Sequence, residues 1–187
     1  MGGHHLILGQ LSDYISGATV DDTLDERHRQ RVGRLLVEQK GYAKGQITAR
    51  HELLVRMDGR CARLLITYTV SLEDRVAMLI QYGPGSLVTR HRPALAMSRL
   101  VASYQIPVVV VTNGVNAHIL SAGQGEVIAE GLANIPNRQQ LAALSKQHPW
   151  ETVSRQRVEM ESRILMAYEV DDRCPCDDST CKIESYT

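Results

Sequence analysis

Pro107-Val108-Val109-Val110-Val111-Thr112-Asn113-Gly114 is the stretch on which the fold turns. Four consecutive β-branched apolar residues with no polar alternation cannot all hide on one face of a sheet. The run therefore predicts a strand buried on both faces, at the centre of a layered α/β domain. Asn113-Gly114 ends it in a turn. Downstream, Ala117 to Leu120 predicts a further strand, Gly123 to Gly125 a turn, and Glu126 to Ala129 a returning edge. Asn137 to Lys146 and Val153 to Tyr168 predict helices. The second is laced by i,i+4 pairs such as Arg155 with Glu159 and Arg157 with Glu161.

Upstream, a helix is expected from Pro93 to about Tyr104, since proline favours a first helical turn. Before it lie three strand-like runs, Ile47 to Arg56, Ala62 to Val70 and Arg75 to Tyr82. Asp58-Gly59 and Glu73-Asp74 separate them at hairpin spacing. Leu24 to Lys40 is an amphipathic helix with apolar Val32, Leu35 and Leu36. Asp22 or Thr23 caps it, Gly41 stops it, and Arg27, Arg29, Arg31 and Arg34 form its outer face. Tyr14 to Val20 reads as a short hairpin turning at Ser16-Gly17. The expected organisation is an N-terminal hairpin extension (1–23), an αβββαβ core with a mixed sheet (24–135), C-terminal helices (136–170) and a Cys-rich acidic tail (171–187).

The chain has 187 residues, 43% hydrophobic and 22% charged, enough for a buried core and too apolar for wholesale disorder. It has no Phe, so Leu, Val, Ile, Met and seven Tyr must fill that core. A formal net charge of zero excludes the strongly basic, histone-like class, but it conceals an asymmetry. Residues 24–99 carry 14 Lys/Arg against 7 Asp/Glu, while residues 151–187 carry 5 against 9. A basic half of this kind suits a phosphate backbone or pairs with the acidic tail. No apolar run has membrane-spanning length and the N-terminus lacks a basic n-region, so a cytoplasmic setting is expected.

The αβββαβ order, the helix beginning Asp25-Glu26-Arg27-His28-Arg29-Gln30-Arg31-Val32 and running through Val37-Glu38-Gln39-Lys40-Gly41-Tyr42, and the Pro107 to Gly114 string together resemble one family. It is the N-terminal nuclease-like domain of type I restriction enzyme R subunits, of the PD-(D/E)xK restriction-endonuclease-like superfamily. The likeness spans about residues 20–135. It implies that an Asp on the second core strand and a Glu on the third bind Mg²⁺ or Mn²⁺, that a Lys two residues after the Glu assists, and that a first-helix Glu supports the metal. Glu26 matches the helix acid. The second strand supplies only Arg63-Leu64-Leu65-Ile66-Thr67-Tyr68, and residues 59–72 hold no Asp or Glu. The third strand ends in Gln81-Tyr82-Gly83, where the family has Glu-x-Lys. No lysine occurs between Gly45 and Ser145. The motif is degenerate at Gln81 and Gly83. It implies a catalytically impaired module that binds nucleic acid or a protein partner, with Arg27, Arg31, Arg34, Arg90 and Arg92 as the expected non-specific DNA contacts. Loss of the central carboxylates is expected to make the cleft more positive. A homo-oligomer is compatible with this reading. One alternative is an Mg²⁺-dependent endonuclease whose site is rebuilt from Glu26 with Glu73 or Asp74.

Gly83-Pro84-Gly85-Ser86 before Arg90-His91-Arg92 offers backbone N–H groups and guanidiniums to an anion, or is a rigid turn with solvated arginines. Cys174, Cys176 and Cys181 place three thiols close together. Zn²⁺, with Cys61, His4 or His5 as fourth ligand, is the second alternative role; a thiol-rich tail without metal is the plainer reading. His51 and His118 have no catalytic companions in the sequence and read as structural or exposed. Trp150 is expected to pack the last helix onto the sheet.

Overall fold

A computed structural model describes residues 6–57 and 59–169, and the backbone of 182–185. The tail cysteines, His4 and His5 lie outside the described residues. Near the N-terminus, β1 (Gln10–Ser12) and β2 (Thr19–Asp21) pair antiparallel. The turn is wider than Ser16-Gly17 alone. The Asp13 carboxylate accepts from the backbone N–H of Ile15 and Ser16 and from the Ser16 hydroxyl, and organises the whole Asp13 to Ala18 loop. Helix α1 (Leu24–Arg34) starts at Thr23, whose side chain accepts from the Glu26 N–H. It continues through a π-helical turn, Leu35–Gln39, and ends before Gly41, whose φ of +73° suits a residue without Cβ.

The expected meander follows as β3 (Ile47–Met57), β4 (Arg60–Leu72) and β5 (Arg75–Tyr82). Glu73 and Asp74 join β4 to β5 with φ of 50° and 62°, the two positive values that a tight hairpin demands. Helix α2 (Val88–Leu100) then crosses to β6 (Val108–Thr112), which lies parallel to β5. The helix starts five residues before Pro93. Buried Leu87 opens it by accepting from the Arg90 N–H. Pro93 therefore sits past the first turn, buried against the core. Strands β7 (Ala117–Ser121) and β8 (Val127–Glu130), then helices α3 (Arg138–Gln147) and α4 (Arg155–Tyr168), complete the domain. The mixed sheet has the order β3-β4-β5-β6-β7-β8. A last strand, β9 (Lys182–Ser185), pairs with Arg60 to Arg63 of β4.

The valine run behaves as its composition requires. Val108 and Val110 face a core with Val32 of α1, Leu36 of the π-helical turn that follows it, and Leu141 of α3. Val109 and Val111 face a second core with Leu95 of α2 and Leu165 of α4. None of the four is more than 1% exposed. The sheet is thus sandwiched, with α1 and α3 on one side and α2 and α4 on the other. Trp150 belongs to the α1/α3 side, not to α4. Its Nε1 donates to the Ser145 carbonyl of α3 and its ring packs edge-on against Tyr104.

Candidate functional site

Strands β4 and β5 stay paired only from Leu72↔Arg75 to Tyr68↔Ile80. Beyond that point they diverge, and a cavity of about 300 Å³ opens between them, lined by residues that include Glu26, Arg50, Leu65, Thr67, Gln81 and Gly83. Glu26, Gln81, Gly83 and the β4 stretch with Leu65 and Thr67 are the positions at which the degenerate motif is read. Gln81 spans the opening. Its Oε1 accepts from the Thr67 N–H at 3.1 Å and its Nε2 lies 3.5 Å from the Leu65 carbonyl. The Thr67 hydroxyl in turn accepts from the Tyr82 N–H at 3.0 Å. Side chains thus stand in for the ladder bonds that the divergence removes.

Glu26, 3% exposed, enters from α1. One oxygen accepts from Gln30 Nε2 at 2.7 Å; the other accepts from Arg50 at 2.6 Å and more weakly from Arg29 at 3.4 Å. Gln30 also donates to Asp13 at 2.8 Å, tying the N-terminal loop to the cleft. Burial pushes the Asp13 carboxyl up, but bonds from Ser16, Gln30 and Ile15 outweigh it and hold the group below its ordinary value. Asp25 accepts from the Tyr82 hydroxyl at 2.9 Å. Burial, with Asp25 beside it, pushes that phenol up to about 12. The Arg29 guanidinium lies 5.2 Å from the Tyr82 ring centre.

Two arrangements in the cleft are not read from the sequence, although Arg90 itself is singled out there as an anion or DNA contact. Arg50 sits mid-strand at φ 52°, a left-handed conformation costly for a residue with a Cβ, and this turns its guanidinium toward Glu26. Arg90 lies over Gly83: a Cβ there would come within 3.0 Å of the Arg90 Nε. The arginine therefore covers the place where a side chain at position 83 would emerge. Asp13, Asp25, Glu26 and Glu169 line the cavity against Arg29, Arg50 and Arg90, so it is not the positive cleft expected from the missing central carboxylates.

The five expected DNA-contacting arginines do not form one patch. Arg27, Arg31 and Arg34 lie along α1 on one side of the sheet. Arg27 pairs with Asp22 at 2.6 Å and Arg34 with Glu38 at 3.8 Å. Arg31 is exposed and has no ion-pair partner among the described residues. Arg90 is at the cleft. Arg92, on the opposite side from α1, is not a free surface cation, because it donates to the fully buried Glu161 of α4 at 2.5 Å. Arg99 binds the same carboxylate at 3.0 Å, and Arg157 approaches it at 2.6 Å. Glu73 and Asp74 lie at the far end of β5, about 20 Å along the strand from Gln81, and cannot join Glu26 in one site. Cys61 is buried on β4, opposite Glu184 of β9. His118 does have a companion that the sequence does not reveal, His91 Nε2 at 2.8 Å, while His51 meets the Thr69 hydroxyl at 2.9 Å.

The two strings that carry the family likeness touch. At Gly114, where φ is +82°, a Cβ would come within 2.5 Å of His28 on α1, so the Asn113-Gly114 turn fits against the helix only as glycine. A model of the type I restriction enzyme R protein N terminus matches residues 24–136, which include both strings. The chain belongs to that family. Its six-strand mixed sheet, with the meander joined to β6 through α2, is consistent with a restriction-endonuclease-like fold. No curated protein and no solved structure matches the chain.

The family likeness implies Mg²⁺ or Mn²⁺ at this cleft, and neither β4 nor β5 supplies the carboxylate that the family motif places there. Such ions take several oxygens, anionic ones among them, near octahedral geometry. Here β4 offers Leu65 and Thr67, β5 offers a neutral carboxamide already engaged, and both Glu26 oxygens are held by cationic or amide donors; of the other carboxylates on the cavity wall, Asp13 is held by Ser16 and Gln30, Asp25 accepts from the Tyr82 hydroxyl, and Glu169 comes from beyond α4.

Proposed function

We propose that this member of the R-protein N-terminal family is a catalytically impaired nuclease-like module that works by binding or assembly. The supporting observation is the Gln81 bridge. Where a metal-binding carboxylate would stand, a carboxamide closes the split between β4 and β5 through Thr67 and Leu65. The neutralisation of Glu26 by Arg50 and Arg29 points the same way. The arrangement has become a hydrogen-bonded joint in place of an open ligand set for a hydrolytic metal.

For nucleic acid, the surface that favours contact is the α1 row of Arg27, Arg31 and Arg34, in which Arg31 is the least encumbered. The expected interaction is weak, non-specific duplex binding, with log affinity falling against log salt by about 0.9 for each phosphate contacted. Arg31→Ala with Arg34→Ala should flatten that slope, whereas Arg92→Ala should alter stability instead. A mobility-shift titration across salt concentrations tests this. Absence of any salt-dependent shift with duplex or single-stranded probes leaves assembly with a protein as the function.

A further inference from the structure

We propose that the free edge of β3 is a two-fold pairing surface for a second copy of this chain. The two ends of the sheet are treated differently. At one end β8 is four residues long, its register slips beside Leu120, and the Asn134 side chain occupies the Glu130 carbonyl. A short, irregular edge with a carbonyl already engaged resists pairing. At the other end β3 is eleven residues long, and among the described residues it pairs only with β4. A long free strand edge is a template for another strand.

The sequence of this edge is complementary to itself. The left-handed Arg50 is the one residue of β3 that drops out of the ladder, with the register unchanged across it, and His51 to Met57 form the longest continuously paired run, from His51↔Ile66 to Met57↔Arg60. The midpoint of that segment is Leu54, 47% exposed. An antiparallel partner related by a two-fold axis through Leu54 sets Glu52 opposite Arg56 of the second copy, and Arg56 opposite its Glu52. Leu54 meets Leu54, and Leu53 meets Val55. Glu52, Leu54 and Arg56 are exposed on one face, while Leu53 and Val55 are buried on the other, so each face meets its like. Opposite charges directly across strands are favourable. A one-residue slip would set exposed positions against core positions. A two-residue slip in either direction would lose both ion pairs. Within the chain, Glu52 is met by Arg63 at 3.9 Å, too far for a hydrogen bond, so its carboxylate keeps its capacity. Pairing of this kind fuses two sheets into one and presents both clefts on the same face. It gives the assembly role a surface, yet stands whether or not the cleft cleaves.

The test is sedimentation equilibrium of the full chain, with a melting temperature for each variant as the check on folding. A reversible monomer–dimer equilibrium is expected. Glu52→Arg or Arg56→Glu alone should weaken it about ten-fold by setting like charges across the axis, and the two together should restore it. Leu54→Cys under mild oxidation should give a covalent dimer in which mass spectrometry finds position 54 joined to position 54. A chain that stays monomeric at every concentration, a double reversal as weak as the single ones, or a dimer that does not cross-link at position 54 would each overturn the proposal.

Discussion

Gln81 concentrates the functional question into one side chain. A carboxamide both accepts and donates, so it can serve Thr67 N–H and Leu65 C=O together. A carboxylate cannot donate to the Leu65 carbonyl and would share the cavity with Glu26. Gln81→Glu should therefore destabilise the fold by about 1–3 kcal/mol at neutral pH. The introduced carboxyl's folded pKa is raised, because its neutral form can donate where its anion cannot. The deficit is present above that pKa and is relieved as pH falls through it. Urea midpoints for the variant and wild type at pH 7 and pH 5 check this; equal deficits at both would contradict it. The departures at Gln81 and Gly83 were legible in the sequence because the family pattern indexes them. The turn of Arg50 toward Glu26 was not, and Arg90 was legible as an anion or DNA contact but not as the cover over Gly83. One depends on a backbone torsion and the other on where α2 begins, and neither leaves a pattern in residue spacing.

At the scale of elements, α4 is held to the sheet through charge as well as apolar contact. Glu161 is fully buried between α2 and α4 and receives Arg92, Arg99 and Arg157. Removing its charge leaves three guanidiniums crowded around an uncompensated centre. Burial already pushes the Arg99 guanidinium down, with Glu161 opposing and Arg157 and Arg92 assisting that shift. Glu161→Gln should cost about 3 kcal/mol. Arg155→Ala, at an exposed pair with Glu159 on the same helix, should cost almost nothing. Thermal or chemical denaturation of the two variants side by side measures the contrast. The Arg157–Glu161 pair was legible as an i,i+4 spacing. Arg92 and Arg99 were not, since 69 and 62 residues separate them from Glu161. The meander was legible almost to the residue because apolar runs and turn residues alternate there. The start of α2 was not, because Pro93 signalled a helix beginning while buried Leu87 set the actual one.

Across the whole molecule, the two-sided core follows from the valine run and the order of elements, and both were open to sequence reading. Charge was not. The basic half of the sequence is divided by the fold between α1, the cleft and the α2/α4 interface. The pH response also belongs to this scale. Burial pushes His51 down, and burial together with the His118 charge pushes His91 down. Both are favoured neutral in the folded state, and an unfolded imidazole titrates near about 6.5. The unfolded chain then binds more protons below that value. This contribution is complete at higher pH and is lost as pH falls through about 6.5. Melting temperature should decline from pH 7.5 to pH 5.5, and His91→Gln should make the decline shallower. Asp13, with its depressed pKa, acts in a separate window: its contribution is kept until pH falls below the ordinary carboxylate range.

The most direct measurement of the central claim is cleavage of supercoiled and single-stranded DNA by the full chain with Mg²⁺ and with Mn²⁺, beside Glu26→Gln prepared identically. A cleft closed by Gln81 and neutralised at Glu26 predicts no metal-dependent cleavage by either protein. Metal-dependent cleavage by the wild type that disappears in Glu26→Gln would contradict the account, because it would make this cleft a working nuclease site.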